Sequence, residues 1–275
     1  MDISYESFAD SKPFRFLVGP AAKPFYIHAK LATQLSSTMA ALVEGSMAEA
    51  KRCYAVLEDI DEDTFVRVVQ FAYTGDYAVA EPDTPVENSS NHLDHAEPAP
   101  AVYEYLPEEE PSNAVLPAEP DERTRGERAW DFFQSAAYKK ETQPWQPEVN
   151  QDSRQDYTPV FLCHAKLYIF SDKYNIEPLQ ELVLQKLRLT LSRFILHPQR
   201  VNDVVELLKY TYANTASRDV KDDKLRDLVS DYLVCHIEKI VYDVEFINML
   251  GKEGDGREGD VAKDLLPKLV RLRLD

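Results

Sequence analysis

Apolar positions alternate at Phe14, Phe16 and Val18, run into Gly19-Pro20, and resume at Phe25-Tyr26-Ile27-His28. A period of two broken by a turn dipeptide predicts a β-hairpin. From near Ser36 the period changes: Met39, Leu42 and Val43 recur at helical spacing until Gly45 stops the run. Tyr54-Ala55-Val56-Leu57 is a short β-like run ending at Glu58-Asp59. The helix after it carries the fullest set of signals. Asp61 or Asp63 caps it, acids fill its first turn, Phe65, Val68, Val69 and Ala72 form its apolar face, and Gly75 ends it.

From Glu81 to Asp156 the pattern dissolves. Acids outnumber bases there by eighteen to six, and prolines interrupt any helix. Such a stretch buries too little apolar surface to offset its chain entropy, so most of it is expected to be disordered. One island breaks the rule: Trp130-Asp131-Phe132-Phe133, followed by Tyr138 and Trp145. Aromatics at this density are unfavourable in a free tail, so a short helix here is expected to dock on the folded body, ahead of docking on a partner.

Helical spacing returns beyond Thr158. Phe161, Ala165, Tyr168 and Ile169 share a face, Asn175-Ile176-Glu177-Pro178 makes a turn, and Leu179, Leu182, Val183 and Leu187 mark the next helix. His197-Pro198 is expected to break it, and Asn202 to cap a third helix carrying Val204, Leu207, Leu208 and Tyr212. Leu225, Leu228, Val229, Tyr232 and Leu233 define a fourth, with shorter pieces at Phe246–Leu250 and Val261–Leu272. A hairpin, a third strand and amphipathic helices on either side of them predict an α+β fold with helices packed on a small sheet.

Composition narrows the function. Hydrophobic residues make up 44% and charged residues 29% of the 275 positions, enough for a buried core. A net charge of −17 opposes nucleic acid and anionic membranes as partners, because both require clustered Lys and Arg. No apolar stretch has the length of a membrane span, and Met1–Asp10 has no apolar run resembling a secretory signal. Cys53, Cys163 and Cys235 are odd in number and far apart, which reads as buried reduced thiols of an intracellular protein, cytoplasmic or nuclear.

Several motifs carry a resemblance. FRFLVG…FYIH, then HAKLATQLS, EGSMAEA, CYAVLED and IDEDTFVRVVQFAYTGDY follow one another in the order seen in a BTB/POZ domain. AKLYIFSDKYNIEPLQELVLQKL is similar to the paired helices that complete that fold, and VVELLKYTYANT…DDKLRDLVSDYLVCH resembles the helical extension of fungal members. The resemblance implies a tail at 1–13, a first part of the domain at 14–80, the acidic insert at 81–157, the completing helices at 158–196 and the extension at 197–275. It makes the insert an interruption inside one fold, whose two halves should not fold apart.

The resemblance also implies function: recognition of other proteins, self-association among them, with no catalysis and no cofactor. Dimerising members pair a basic residue after the strand-ending His with an acid ahead of the first strand. Lys30 matches the basic position, while the place of the acid falls around Lys12 and Pro13, where there is none. Adaptors of cullin-type ubiquitin ligases carry a hydrophobic-x-Glu element after the second helix, which Met47-Ala48-Glu49 matches. The partner-binding candidates are therefore Met47, Glu49 and Lys30, with a cullin as the alternative partner.

Other chemistry reads as weaker. Gly254-Asp255-Gly256-Arg257-Glu258-Gly259 matches the dinucleotide fingerprint G-x-G-x-x-G, which would make a nucleotide-using enzyme. It lacks a preceding strand, and two of its three charged side chains would repel a pyrophosphate, so it reads as a loop. Adjacent residues on a helix point about 100° apart, so neither Cys163-His164 nor Cys235-His236 chelates one metal. His28, at an apolar strand-to-helix junction, is expected to be a hydrogen-bonded structural residue. His92 and His95, the run Glu108–Glu110 and the sequon at Asn88 all read as solvated insert.

Overall fold

A computed structural model describes residues 6, 8–46, 48–84, 124–135, 145–217, 222–251 and 259–274. The alternating Phe14, Phe16 and Val18 lie on strand β1 (Pro13–Val18), which pairs antiparallel with β2 (Lys23–His28). Gly19 opens the connecting turn at φ 71°, a conformation free of penalty only without a Cβ. Strand β3 (Tyr54–Leu57) lies parallel to β1 on its other side, giving the order β2-β1-β3. Parallel neighbours require a crossover. Here it consists of α1 (Ala29–Leu35), α2 (Ser37–Glu44) and α3 (Ala48–Arg52).

The first helix starts earlier than expected. Leu31, Ala32 and Leu35 already face the core in α1, and Ser36 is the cap of α2, accepting the Met39 N–H at 3.1 Å. In α4 (Glu62–Thr74) the cap is Asp61, whose carboxylate accepts the Thr64 N–H at 2.8 Å, while Asp63 sits inside the first turn. Gly75 closes it in the left-handed conformation at φ 73°.

Helices α6 (Thr158–Lys173) and α7 (Glu177–Arg193) pack over this first unit. Phe65 meets Phe170 edge-on at 6.1 Å, Ser36 donates its hydroxyl to the Tyr174 carbonyl at 2.6 Å, and Lys173 pairs with Asp59 at 2.5 Å. Phe16, Phe65 and Phe170 are all fully enclosed, so the core is continuous from the sheet to α6. A buried Phe is worth roughly 3 kcal/mol of transfer free energy. The two halves of the chain therefore supply opposite walls of one core.

A second layer holds α8 (Val201–Asn214), α9 (Lys224–Cys235), α10 (Ile237–Ile240), α11 (Val244–Gly251) and α12 (Asp260–Leu274). Arg226 is its polar centre: 2% exposed, it bonds Asp260 at 3.0 Å and the Thr215 hydroxyl at 2.7 Å. Two expected boundaries move. Helix α7 ends at Arg193, short of His197-Pro198, and a 3-10 turn at Pro198–Arg200 leads straight into α8. Val201 is thus the first residue of α8, and Asn202 lies inside its first turn rather than capping it.

The acidic segment 81–157 is not without structure where it is described. Asp83 and Asp156 exchange backbone hydrogen bonds of 2.9 and 2.8 Å. Asn150, fully buried, copies a β-bridge: its side-chain amide donates to the Ile195 carbonyl at 2.8 Å and accepts the Ile195 N–H at 2.7 Å. Helix α5 (Arg125–Ser135) docks the expected aromatic island on the second layer, with Phe133 buried against Tyr232 and Phe132 left 68% exposed. The docked helix at 125–135 is the one expected around Trp130–Phe133, while the packing of residues 145–157 was not foreseen. Tyr138, the histidines His92 and His95, Glu108–Glu110 and Asn88 lie outside the described residues.

The architecture is α+β, mostly helical, with one small sheet. Among the described residues no helix is long and apolar enough to cross a membrane.

Candidate functional site

Lys30 stands in the first turn of α1 with its side chain half exposed, and its ammonium pairs with Asp10 at 2.8 Å. Asp10 lies on a turn over residues 8–11, two residues before Lys12, and pairs with Lys30 within the same chain. Hydrogen bonding from Lys30 holds the Asp10 carboxyl below the ordinary carboxylate range. Glu49 occupies the first turn of α3, a helix with no buried side chain. Met47 lies outside the described residues. Lys30 and Glu49 stand on separate helices, and no ion pair among the described residues joins them.

A surface that sequence reading passed over lies on the sheet. Alternation sends Phe14, Phe16 and Val18 into the core and leaves the opposite face to Arg15 and Leu17. Register sets Tyr26 and Tyr54 beside Arg15, and Pro24 and Val56 beside Leu17. The Arg15 guanidinium stands 5.1 Å from the Tyr54 ring centre, while Tyr26 is 53% and Val56 47% exposed. The signal was present in the sequence, since both parities of these strands carry apolar residues.

Behind the first unit lies a buried polar cluster. Lys186, on α7, is 1% exposed; its ammonium donates to the Tyr77 carbonyl at 2.8 Å and pairs with Asp76 at 2.5 Å. The rings of Tyr77 and Trp145 stand 4.4 and 5.0 Å from the same nitrogen. Next to it His164 is fully enclosed, with Nδ1 2.7 Å from the Tyr77 hydroxyl and Nε2 3.4 Å from Thr190 Oγ1. Thr190 gives its own proton to the Lys186 carbonyl at 2.9 Å. His164 therefore donates through Nε2 and accepts the Tyr77 proton at Nδ1. Burial, reinforced by the charges of Lys186 and Arg67, pushes its pKa down to about 3, so the ring is neutral.

A cavity of about 650 Å³ opens above this cluster, lined by Gln70, Glu81, Trp145, Glu148, Tyr157 and Lys186. Lys186 is engaged on several sides and His164 is sealed beneath Tyr77. The cluster thus ties the strand-like exit of residues 76–80 to α6 and α7.

His28 has the expected structural role: the Tyr73 hydroxyl accepts its backbone N–H at 3.2 Å and lies 2.6 Å from Nδ1. The cysteines need one correction. Cys163 is buried and Cys235 half-buried, and burial raises both thiols, Cys235 to about 12. Cys53 is exposed, because the chain turns at φ 57° directly after α3 and directs the side chain outward. Among the described residues, no three His, Cys, Asp or Glu side chains group as metal ligands. Of the glycine motif only Gly259 is described, at the turn before α12.

No family model matches the chain, and neither a curated protein nor a solved structure matches it significantly.

Proposed function

We propose that the chain is a protein-binding module of the BTB/POZ class that acts by recruiting other proteins and performs no catalysis. The observation that carries this reading is the first unit as a whole. A sheet ordered β2-β1-β3, crossed over by short helices and closed by α4 and α6–α7, leaves one face of apolar side chains in cross-strand register. Exposed apolar side chains grouped around an arginine are the composition of a protein-recognition surface. The half-exposed Lys30–Asp10 pair supports the same reading, because a charge pair at the base of β2 suits contact with a second copy.

The test is direct. The purified chain is immobilised and challenged with native extract, in parallel with a Tyr26→Asp, Val56→Asp variant whose helicity is unchanged. Retention of a discrete set of proteins, or self-association by light scattering, that the variant loses is the expected result. A strict monomer that retains nothing would remove the proposal.

A second reading is favoured by Glu49, which projects from the exposed α3 just after α2. Such a residue suits the adaptor role at a cullin. Titration of a cullin amino-terminal domain against the wild type and Glu49→Ala decides it: no binding by the wild type excludes the adaptor role, and equal binding excludes Glu49 as the contact.

A further inference from the structure

The groove under α5 is built from α7, α9 and α12, and the helix that fills it comes from the acidic insert. Trp130 stacks on Phe133 at 5.6 Å and meets the edges of Tyr232 at 6.1 Å and His236 at 5.1 Å. Phe133 packs on Tyr232 at 5.7 Å. At one end Thr124 and Glu127 form a reciprocal cap, and at the other Arg188 of α7 donates to the Gln134 carbonyl at 2.8 Å.

Two facts make this helix a weak occupant of its own site. An isolated helix of eleven residues is marginal in water, and among the described side chains of α5 only Ala129 and Phe133 are buried, with Trp130 partly so. The Tyr232 and His236 rings on which these side chains pack carry a hydroxyl and an Nε2 that are buried without a hydrogen-bond partner among the described residues. They lie one turn apart on the groove floor. The aromatic side chains of α5 pack on both rings and supply neither atom with a hydrogen bond, and a buried polar atom without a partner is costly.

We propose that the α7–α9–α12 groove is a binding site for an amphipathic helix of a partner protein, and that α5 is its intramolecular placeholder. The partner helix carries aromatic side chains three residues apart, as Trp130 and Phe133 stand, and a hydrogen-bonding side chain that reaches Tyr232 Oη and His236 Nε2. Covalent attachment gives α5 an effective concentration on the order of millimolar, which a helix in trans overcomes by tighter contact. The site is independent of the sheet face and of the family reading.

Three measurements on the full chain test this. Native-state hydrogen exchange should show α5 amides at least a hundredfold less protected than those of α9. Equal protection would mean that α5 belongs to the cooperative core, which overturns the proposal. A Tyr232→Phe variant, which removes the orphan hydroxyl, should raise α5 protection about tenfold; unchanged or lowered protection overturns the argument from unsatisfied atoms. Finally, a fluorescent peptide of residues 124–135 should bind a Trp130→Ala, Phe133→Ala variant of preserved helicity and bind the wild type at least tenfold more weakly. Binding to neither refutes the groove. A dimer formed by exchange of α5, and dissolved by the peptide, assigns the site to a second copy and overturns the partner assignment.

Discussion

Lys186 offers a quantitative test of the cluster that joins the halves of the first unit. Replacing Asp76 with Asn keeps an acceptor for the Tyr77 N–H, which the carboxylate now takes at 2.7 Å, and removes only the charge. The ammonium left behind is 1% exposed. Breaking a buried pair by losing one partner costs about 3–5 kcal/mol. The Asp76 side chain is 58% exposed, so solvent screening reduces this to roughly 2 kcal/mol. Lys186→Met keeps the stem volume. It gives up a charged hydrogen bond of about 2 kcal/mol and the ring contacts, yet relieves a desolvation cost of several kcal/mol, so its net effect is within about 1 kcal/mol. The double variant should then resemble Lys186→Met, with a coupling near 2 kcal/mol. Urea unfolding followed by circular dichroism reads this as a midpoint lowered by about 1 M in Asp76→Asn and largely restored in the double variant. Additive effects, or a Lys186→Met loss above about 3 kcal/mol, would refute the account of a charge held by Asp76.

Further outcomes follow from neighbouring residues. Tyr77→Phe leaves His164 Nδ1 buried without its donor and should cost about 1–3 kcal/mol in the same assay. Phe65→Ala opens the core shared by the sheet and α6 and should cost about 3–5 kcal/mol in one transition, whereas separate transitions for the two halves would contradict a shared core. The His164 pKa lies near 3 in the fold against 6.5 in the unfolded chain, so its contribution is complete above pH 6.5 and is lost as pH falls toward 3. At pH 5 that loss is about 2 kcal/mol. Asp203, raised to about 6 by burial, acts in the opposite sense, so the comparison is between wild type and His164→Asn, and parallel pH profiles would refute it. His236, held near 4 by burial, should lower the protection factors of the α5 amides, each taken against the intrinsic exchange rate at that pH, as pH falls from 6.5 toward 4.

What was legible in the sequence was whatever depends on local spacing. The hairpin follows from period two at Phe14, Phe16 and Val18, and α4 from a cap at Asp61 with a terminator at Gly75. Helix α1 was missed because it begins after His28 without a side-chain cap, while Ser36 advertises the start of the next helix. Lys186 was invisible for a different reason. Every residue of α7 from Leu182 to Arg188 is buried, since α6 covers one side, α5 and α9 cover others, and residues 76–77 close over Lys186. A helix wrapped on several faces has no polar stripe to read. The Lys30–Asp10 pair was not legible, because Asp10 comes to Lys30 through a turn whose course no local spacing announces. The orphan atoms on α9 depend on which helix lies above them, a fact no single segment encodes.

The hydrogen bonds between Asp83 and Asp156 close residues 84–155 at their base, like the stem of a hairpin. Once entry and exit points are pinned together, the entropy of closing the excursion grows only with the logarithm of its length, about 0.6 kcal/mol for each doubling. Residues added away from the packed segments 124–135 and 145–155 change that closure cost little, so sequence can accumulate there without renegotiating the core.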